Sequence, residues 1–592
     1  MAIVPSLDRF QARPKREMSG QVFELARALK SVPELADADL SLSLGDAGDC
    51  AGNPPAIRLM SVAGPENSGA CRSGWPSCVC RTLSCYQSVV GKIRRIIMRQ
   101  ILLTMLVVGV ANVLHAADSS VPKAAYKKNS TMELLFESRS EITERTGEIY
   151  FFQRKPTIYP ESVLEPDSFV DGAGVMCYGT VLRDNGIFRM WYSAWPRDWE
   201  NGANSGLVGY AESDDGLVWR KPKLGLVDYK GKGKDNNLID IFGHSFTVFI
   251  DPDAPSDSRY RATMSIRREA GYGYYTAHSA DGLKWEYDQL TPQWWSVDVI
   301  TSIYHPGQRR AIVAMKFSPE IDGRRRRSVW IGERRDGQWS KAHSVLQPDK
   351  QAQADAVSRG YKMGDYYGMG MMPAGTGTVG FLWQLRAEKN LMHGVNDVTL
   401  TYQAGRGESW EHVPGRPDFI SHADPGFGKG TIYTSSCPVE VGDEQWLYFT
   451  AYTRPHAWYI DSKGQIDDQR MQTVIDEGIS RIGVARWPKW RLFGFRSDSQ
   501  GALTLSLDDI KEPSRLLLNY ECEQGGSVRI ALEDVLERTE ENSVPLTGSR
   551  FDAAATWSDG DVLTRRPEGQ PVKVTLHLDR ASVYAYQIVP VE

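Results

Sequence analysis

Gly209-Tyr210-Ala211-Glu212-Ser213-Asp214-Asp215-Gly216-Leu217-Val218-Trp219 reads as a strand, a tight turn and a closing tryptophan. Glycine accepts the positive φ of a tight hairpin, and aspartate stabilises the turn through its side chain. The phrase recurs as Tyr275-Thr276-Ala277-His278-Ser279-Ala280-Asp281-Gly282-Leu283-Lys284-Trp285, and again from Val329 to Trp339 around Asp336-Gly337. A degraded copy runs from Leu400 to Trp410, and a fifth, Ile482-Gly483-Val484-Ala485-Arg486-Trp487, has lost its turn. Successive closing tryptophans stand 66, 54, 71 and 77 residues apart, room for about four short strands in each repeat.

Segments of strand character fill those intervals. Val175–Leu182, Phe188–Ser193 and Leu207–Glu212 precede the first tryptophan; Phe246–Ile250, Arg259–Ile266 and Gly273–His278 precede the second. Thr431–Val441 and Gln445–Tyr452 precede the fifth. With short strands, regular turns and almost no amphipathic helical pattern, the fold class is all-β. Repeats of this size arranged radially predict a five-bladed β-propeller over residues 140–490. The tryptophans then cap the hydrophobic layers of the blades, a structural role. From about residue 495 to 592 the pattern changes to Gly501–Leu505, Leu516–Asn519, Ser527–Leu532, Val572–Leu578 and Ser582–Val589. Such alternating strands predict a C-terminal β-sandwich.

The composition excludes several classes. At 592 residues, 41% apolar and 24% charged, the chain is long enough for two or more domains and unlike a disordered one. A net charge of −5 carries no electrostatic footprint for nucleic acid. The sharpest basic cluster, Arg324 to Arg327, follows the turn signal Asp322-Gly323 and predicts a solvated hairpin, with an anion site as the alternative. Five of the eight cysteines (Cys50, Cys71, Cys78, Cys80, Cys85) precede residue 98. The other three, Cys177, Cys437 and Cys522, are too scattered for a disulfide framework, so the later domains stand on packing. The pattern around Cys78-Val79-Cys80 matches no zinc spacing. Seventeen Trp and 25 Tyr suit pleated sheets and also stack on flat apolar faces such as sugar rings.

Arg94-Arg95-Ile96-Ile97-Met98-Arg99-Gln100 leads into the apolar run Ile101–Val110, closed by small residues near Ala116 and Ala117. Residues 98–117 therefore predict a signal peptide, although cleavage after Ala116 puts Leu114 at the −3 position. The run is short for a membrane span, so no stable membrane insertion is expected after cleavage; retention in the membrane is the runner-up. Secretion, or export to a periplasm, follows. Residues 1–97 lack sustained periodicity, and the expectation is that they form no folded domain and that translation begins at Met98.

Asp171-Gly172-Ala173-Gly174-Val175, Phe188-Arg189-Met190-Trp191-Tyr192, the phrase from Gly209 to Gly216, and Pro438–Glu444 together resemble the five-bladed propellers of glycoside hydrolases. The resemblance is to the invertase and arabinanase groupings, families 32 and 43, and covers roughly residues 140–490. It implies a carbohydrate substrate or ligand, and an appended sandwich suits such enzymes. The departures are specific. The invertase group's Asn-Asp-Pro-Asn-Gly nucleophile segment is absent, its Arg-Asp-Pro stabiliser is echoed only in Ile250-Asp251-Pro252, and its Glu-Cys acid/base pair has no match.

Glycoside hydrolysis needs two carboxyl groups across the scissile bond, one protonated and one ionised. In a propeller the innermost strands line the axial cavity, so carboxylates at their starts are the candidates. Asp171 precedes the first strand of blade one, Asp298 follows Trp294-Trp295, Asp251 ends a strand of blade two, and Glu440 lies late in a strand of blade five. Asp171 or Asp251 could equally shape a turn, and Glu440 could be a solvated edge residue. His244 could bind a central metal or a sugar hydroxyl, or be structural. Trp195, Trp294 and Trp295 are candidates for a stacking platform; Trp191 fits blade core better. No cofactor is called for, although a propeller axis has room for a divalent cation. The expected protein is a monomeric, exported carbohydrate-active propeller, a glycosidase with paired axial carboxylates. The alternative is a non-catalytic propeller that binds a glycan or a protein.

Overall fold

The computed structural model describes residues 132–591, apart from 200–205, 297, 389–391, 462, 508–509, 565–566 and 568–569, together with residues 40–43 and 58–61. The chain divides into two compact units, Met1–Pro122 and Lys123–Glu592. In the first, Leu40–Ser43 pairs antiparallel with Arg58–Ser61; the signal-peptide segment and the five early cysteines lie outside the described residues.

The second unit holds five antiparallel sheets in succession, each beginning at its inner strand. Gly174–Asp184 starts blade one, His244–Ile250 blade two, Ile300–His305 blade three, Met363–Ala374 blade four and Ile432–Thr434 blade five. This is the five-bladed arrangement expected from the repeats. Blade five is closed by an early segment: Thr157 and Ile158 pair with Arg486 and Ala485, and Tyr159 and Val163 donate to the carbonyls of Val484 and Ile482. Antiparallel sheets leave edges that must be managed, and drawing one strand of the last blade from the far end of the propeller closes the ring.

Small hydroxyl side chains join the inner strands of neighbouring blades. Thr247 hydrogen-bonds Ser302 at 3.0 Å, Thr180 pairs with Ser436 at 2.7 Å, and Thr180 accepts from the Val248 N–H at 2.9 Å. Each such contact links two neighbouring blades.

The repeated turns do the same at the periphery. Asp215 accepts from the N–H groups of Leu217 and Val218, both at 2.8 Å, while Ser213 accepts from Gly216 at 2.8 Å. Asp281, Ser279 and Gly282 repeat this arrangement. In both copies the closing tryptophan, Trp219 or Trp285, donates to its turn glycine's carbonyl at 3.0 Å. The turn then docks on the preceding blade: Trp191 donates to the Gly282 carbonyl at 2.7 Å and Tyr448 to that of Gly216 at 2.8 Å. The motif is thus a clamp between blades, and Trp191 is buried blade core.

Beyond the propeller, one eight-stranded hydrogen-bonded sheet is built on three long strands, Phe493–Leu507, Ser514–Leu532 and Val572–Pro590. Ile142–Gly147 and Tyr150–Gln153 add to it from before the propeller. The long strands carry register shifts at Ser497–Gln500 and Cys522–Ser527. Residues from both halves of the second strand, Leu516 and Leu518 with Val528 and Ile530, share one buried cluster. The three later cysteines are free thiols.

Candidate functional site

A cavity of about 630 Å³ opens at the axial end from which the inner strands start. Every blade contributes to it at or beside its inner strand: Tyr178, His244, Asp298, Tyr367 and Tyr433, in blade order. The backbone geometry behind this placement is irregular. Blade one's inner strand shifts register between Met176 and Thr180, blade two's between His244 and Thr247, and blade four's between Tyr366 and Gly368. Tyr178 and Tyr367 lie inside such bulges, and His244 borders one. A bulge inserts unpaired residues and re-aims the side chains around it. In blade three the irregularity precedes the strand: Asp298 has φ +86°, a left-handed conformation strained for aspartate. Its N–H donates to Ser265 Oγ at 2.9 Å, and Ser245 Oγ ties Ile300 to blade two through its carbonyl at 2.8 Å.

Asp298 is the charged centre. One carboxylate oxygen lies 3.1 Å from His244 Nε2; the other is ion-paired with Lys316 Nζ and lies 3.2 Å from the Tyr367 hydroxyl. Burial alone would raise its pKa, but the Lys316 ammonium and the His244 contact outweigh it and hold the carboxyl well below the usual range. Asp298 is therefore ionised at any physiological pH, while 28% of its side chain still faces the cavity. Tyr367 also lies 3.0 Å from His456 Nε2, and His456 Nδ1 lies 2.5 Å from the Met392 carbonyl. A carbonyl requires a donor, so Nδ1 carries the proton and the neutral ring's Nε2 accepts. Burial, despite the Met392 hydrogen bond, brings His456 down to about 4. The single Tyr367 proton is thus shared between two acceptors, Asp298 and His456.

The walls are aromatic. Trp195 and Trp199 stack at 4.2 Å and 8°, with Tyr452 and Tyr459 edge-on to them. Tyr178 stacks on Trp383 and meets Tyr433 edge-on. Cations complete the lining. Arg327 pairs with buried Asp365 at 3.2 Å, and exposed Arg267 sits over the Tyr272 ring. The basic run therefore splits: Arg324 and Arg325 are exposed as a solvated hairpin requires, whereas Arg326 and Arg327 turn inward to Asp365. The expectation failed there because Asp365, 38 residues later, supplies a buried counter-charge for residue 327.

Of the residues expected at the site, Asp298, His244 and Trp195 line the cavity. Asp171 is completely buried away from the lining, held by Lys221 at 2.7 Å, Ser168 at 2.7 Å and Tyr192 at 2.8 Å. Asp251 lies at the opposite end of its strand from His244, bonded to Arg334 at 2.7 Å and to the Asp253 N–H of its turn. Glu440 makes a surface ion pair with Lys489 at 2.5 Å. Trp294 is core, edge-on to Trp339, and Trp295 is 65% exposed and lies against Gly271. Among the described lining residues Asp298 is the one carboxylate, so the four expected acids are not brought together. Among the described residues no group of three or more His, Cys, Asp or Glu is gathered as a metal would need. The tyrosines, Trp199, Lys316 and His456 were not anticipated, and Arg327 was noted only within the basic run.

No family model matches the chain. Two uncharacterised proteins of Mycobacterium tuberculosis, from strains CDC 1551 and H37Rv, are each 28% identical over 169 residues, 27% of this chain. The chain spans about half the length of these curated relatives. Among solved structures it is similar to a thermostable family-43 glycoside hydrolase at 12% identity, over 53% of this chain and 89% of that one, with a TM-score of 0.36. A family-32 β-fructofuranosidase of Bombyx mori is 12% identical over 74% of this chain and 95% of its own, with a TM-score of 0.36. An N-acetylgalactosamine deacetylase from F. plautii, in complex with blood group B trisaccharide, is 15% identical over 58% and 96%, again at 0.36. At these scores the chemistry of the chain is read from its own cavity.

Proposed function

We propose that this chain is an exported carbohydrate-active protein that takes a sugar into the axial cavity, with ionised Asp298 facing it. The observation that carries this is the convergence of side chains from all five blades, at or beside their inner strands, on a cavity walled by stacked aromatic rings. Aromatic faces bind the apolar faces of sugar rings, and polar groups converging from several elements fix orientation. The reaction supported is glycoside hydrolysis in which Asp298 acts as nucleophile, base or stabiliser of an oxocarbenium-like transition state. A carboxylate held below the usual range suits those roles and not that of proton donor. Export rests on the signal-like segment at residues 98–117, and the shared buried cluster of the C-terminal strands supports a folded-over, sandwich-like sheet.

A second reading, a glycan receptor without catalysis, is favoured by one observation: Asp298 is already engaged by Lys316, His244 and Tyr367, with no second carboxylate among the described lining residues. Reducing-end release from a glycan panel, with binding measured in parallel, separates the two. Hydrolysis lost by about 10³-fold or more in Asp298→Asn while binding persists supports the enzyme, since charge stabilisation of this kind is worth several kcal/mol. Binding without turnover on every glycan supports the receptor. No binding by any glycan overturns both.

A further inference from the structure

The cavity's aromatic wall does not stop at its rim. Phe242 and Tyr272 line the cavity and are 39% and 37% exposed. Tyr272 belongs to the hairpin of Tyr260–Arg268 and Gly271–Ser279, where it stands opposite Arg267. Ser265, Ile266 and Arg267 of the same hairpin also line the cavity. One residue back along the chain from Tyr272 is Gly271, and the Trp295 ring packs against it. The seat is specific to glycine. Gly271 has φ +134°, and a Cβ there would fall 2.7 Å from the Trp295 ring. Any other residue would be strained and would displace the indole.

Trp295 is 65% exposed, yet its backbone is anchored on both sides. The Trp294 carbonyl accepts from the Tyr274 N–H at 2.9 Å, and the Trp294 indole donates to the Ser340 carbonyl at 3.0 Å. On the other side, Ser296 Oγ donates to the Lys316 carbonyl at 2.8 Å. A lone exposed apolar side chain is ordinary. A planar ring on an anchored segment, seated one residue from the aromatic lining of a cavity, extends that lining. Such a ring binds at low cost in conformational entropy, and a flat indole matches the apolar face of a sugar ring.

We infer that Trp295, with Tyr272 beside it, is an outer subsite that stacks a further sugar unit of a glycan whose other unit occupies the axial cavity. The protein then selects oligosaccharides over single sugars. This rests on the carbohydrate reading and deepens it by setting the length of the ligand.

Titration calorimetry on the full chain measures ladders of fructo-, arabino- and galacto-oligosaccharides, from the single sugar to the pentasaccharide. In a ladder that binds, affinity is expected to rise by about three- to tenfold once the probe is long enough to reach Trp295, the scale of one aromatic contact. Trp295→Ala and Trp295→Leu each remove that gain, since leucine keeps apolar bulk but no planar face, whereas Trp295→Tyr keeps most of it. All three leave the shortest binding probe within about twofold and the melting temperature unchanged. Affinity that does not grow with length, or a gain kept in full by folded Trp295→Leu, overturns the inference and leaves the sugar reading standing. So does a dimer, seen by sedimentation, that Trp295→Ala dissociates without changing the ladder, which gives the ring to a second copy. No binding by any ladder overturns both.

Discussion

Asp298 sits in a left-handed backbone conformation, tied to Ser265 through its N–H and to Lys316, His244 and Tyr367 through its carboxylate. Removing one partner of such a pair leaves an uncompensated charge, which is worse than removing both. Lys316→Met is expected to destabilise the protein by about 2–3 kcal/mol, below the usual cost for a fully buried pair because the carboxylate keeps contact with the cavity. The double variant Asp298→Asn with Lys316→Met should recover most of that loss. Denaturant unfolding of the four members of the cycle measures the coupling; additive effects would mean that the two charges do not support one another. His244 and Asp298 were legible in the sequence because both stand where an inner strand begins. Tyr367 and Lys316 were not: one tyrosine among 25 carries no mark, and Lys316 pairs with Asp298 across a blade hairpin.

At the scale of elements, the clamp turns distinguish strain from crowding. Gly282 and Gly337 occupy the same place in their repeats, with φ +79° and +77°. A Cβ on Gly282 would fall 2.8 Å from the Trp191 ring, whereas one on Gly337 meets only the end of Arg334 at 4.0 Å. Gly337→Ala should cost about 1–2 kcal/mol from the left-handed conformation alone. Gly282→Ala should cost roughly a further 1–3 kcal/mol, because the packed Trp191 must yield. Thermal or urea unfolding of both variants tests this; equal losses would show that the turn does not clamp blade two to blade one. The repeats, their turns and the propeller were readable because Asp, Gly and Trp each have a local job. The inward aim of the strands was not. Period-2 alternation assumes an unbroken ladder, and the bulges around Tyr178 and Tyr367 break it where the cavity begins. In blade four even the alternation is missing, since Gly377–Ala387 is buried throughout.

At the scale of the whole molecule, three histidines among the described residues are held neutral by burial, and they shape how the fold responds to acid. His305, His412 and His456 are each lowered to about 4, with burial the leading cause. His305 is completely buried, its Nε2 2.7 Å from the Gly377 carbonyl and its Nδ1 accepting from the Gln308 N–H. A second proton there would face an N–H donor. In the unfolded chain each titrates near 6.5. Above that pH neither state binds these protons and stability is indifferent to them. Between about 6.5 and 4 the unfolded state takes up nearly three protons that the folded state refuses, so stability falls as pH falls, by up to about 4 kcal/mol per pH unit. The depressed carboxylates, Asp171, Asp298 and Asp397 among them, act in a separate window. Their stabilisation is present above about 4 and is lost only as pH drops through their lower folded values. Urea midpoints at pH 7.5, 6 and 5 should therefore decline before the depressed carboxylates are protonated. His456→Gln, which keeps a polar group beside Tyr367 but cannot titrate, should remove about one proton from that slope. A flat profile from pH 7.5 to 5, or an unchanged slope in the variant, would show that these rings accept protons in the folded state.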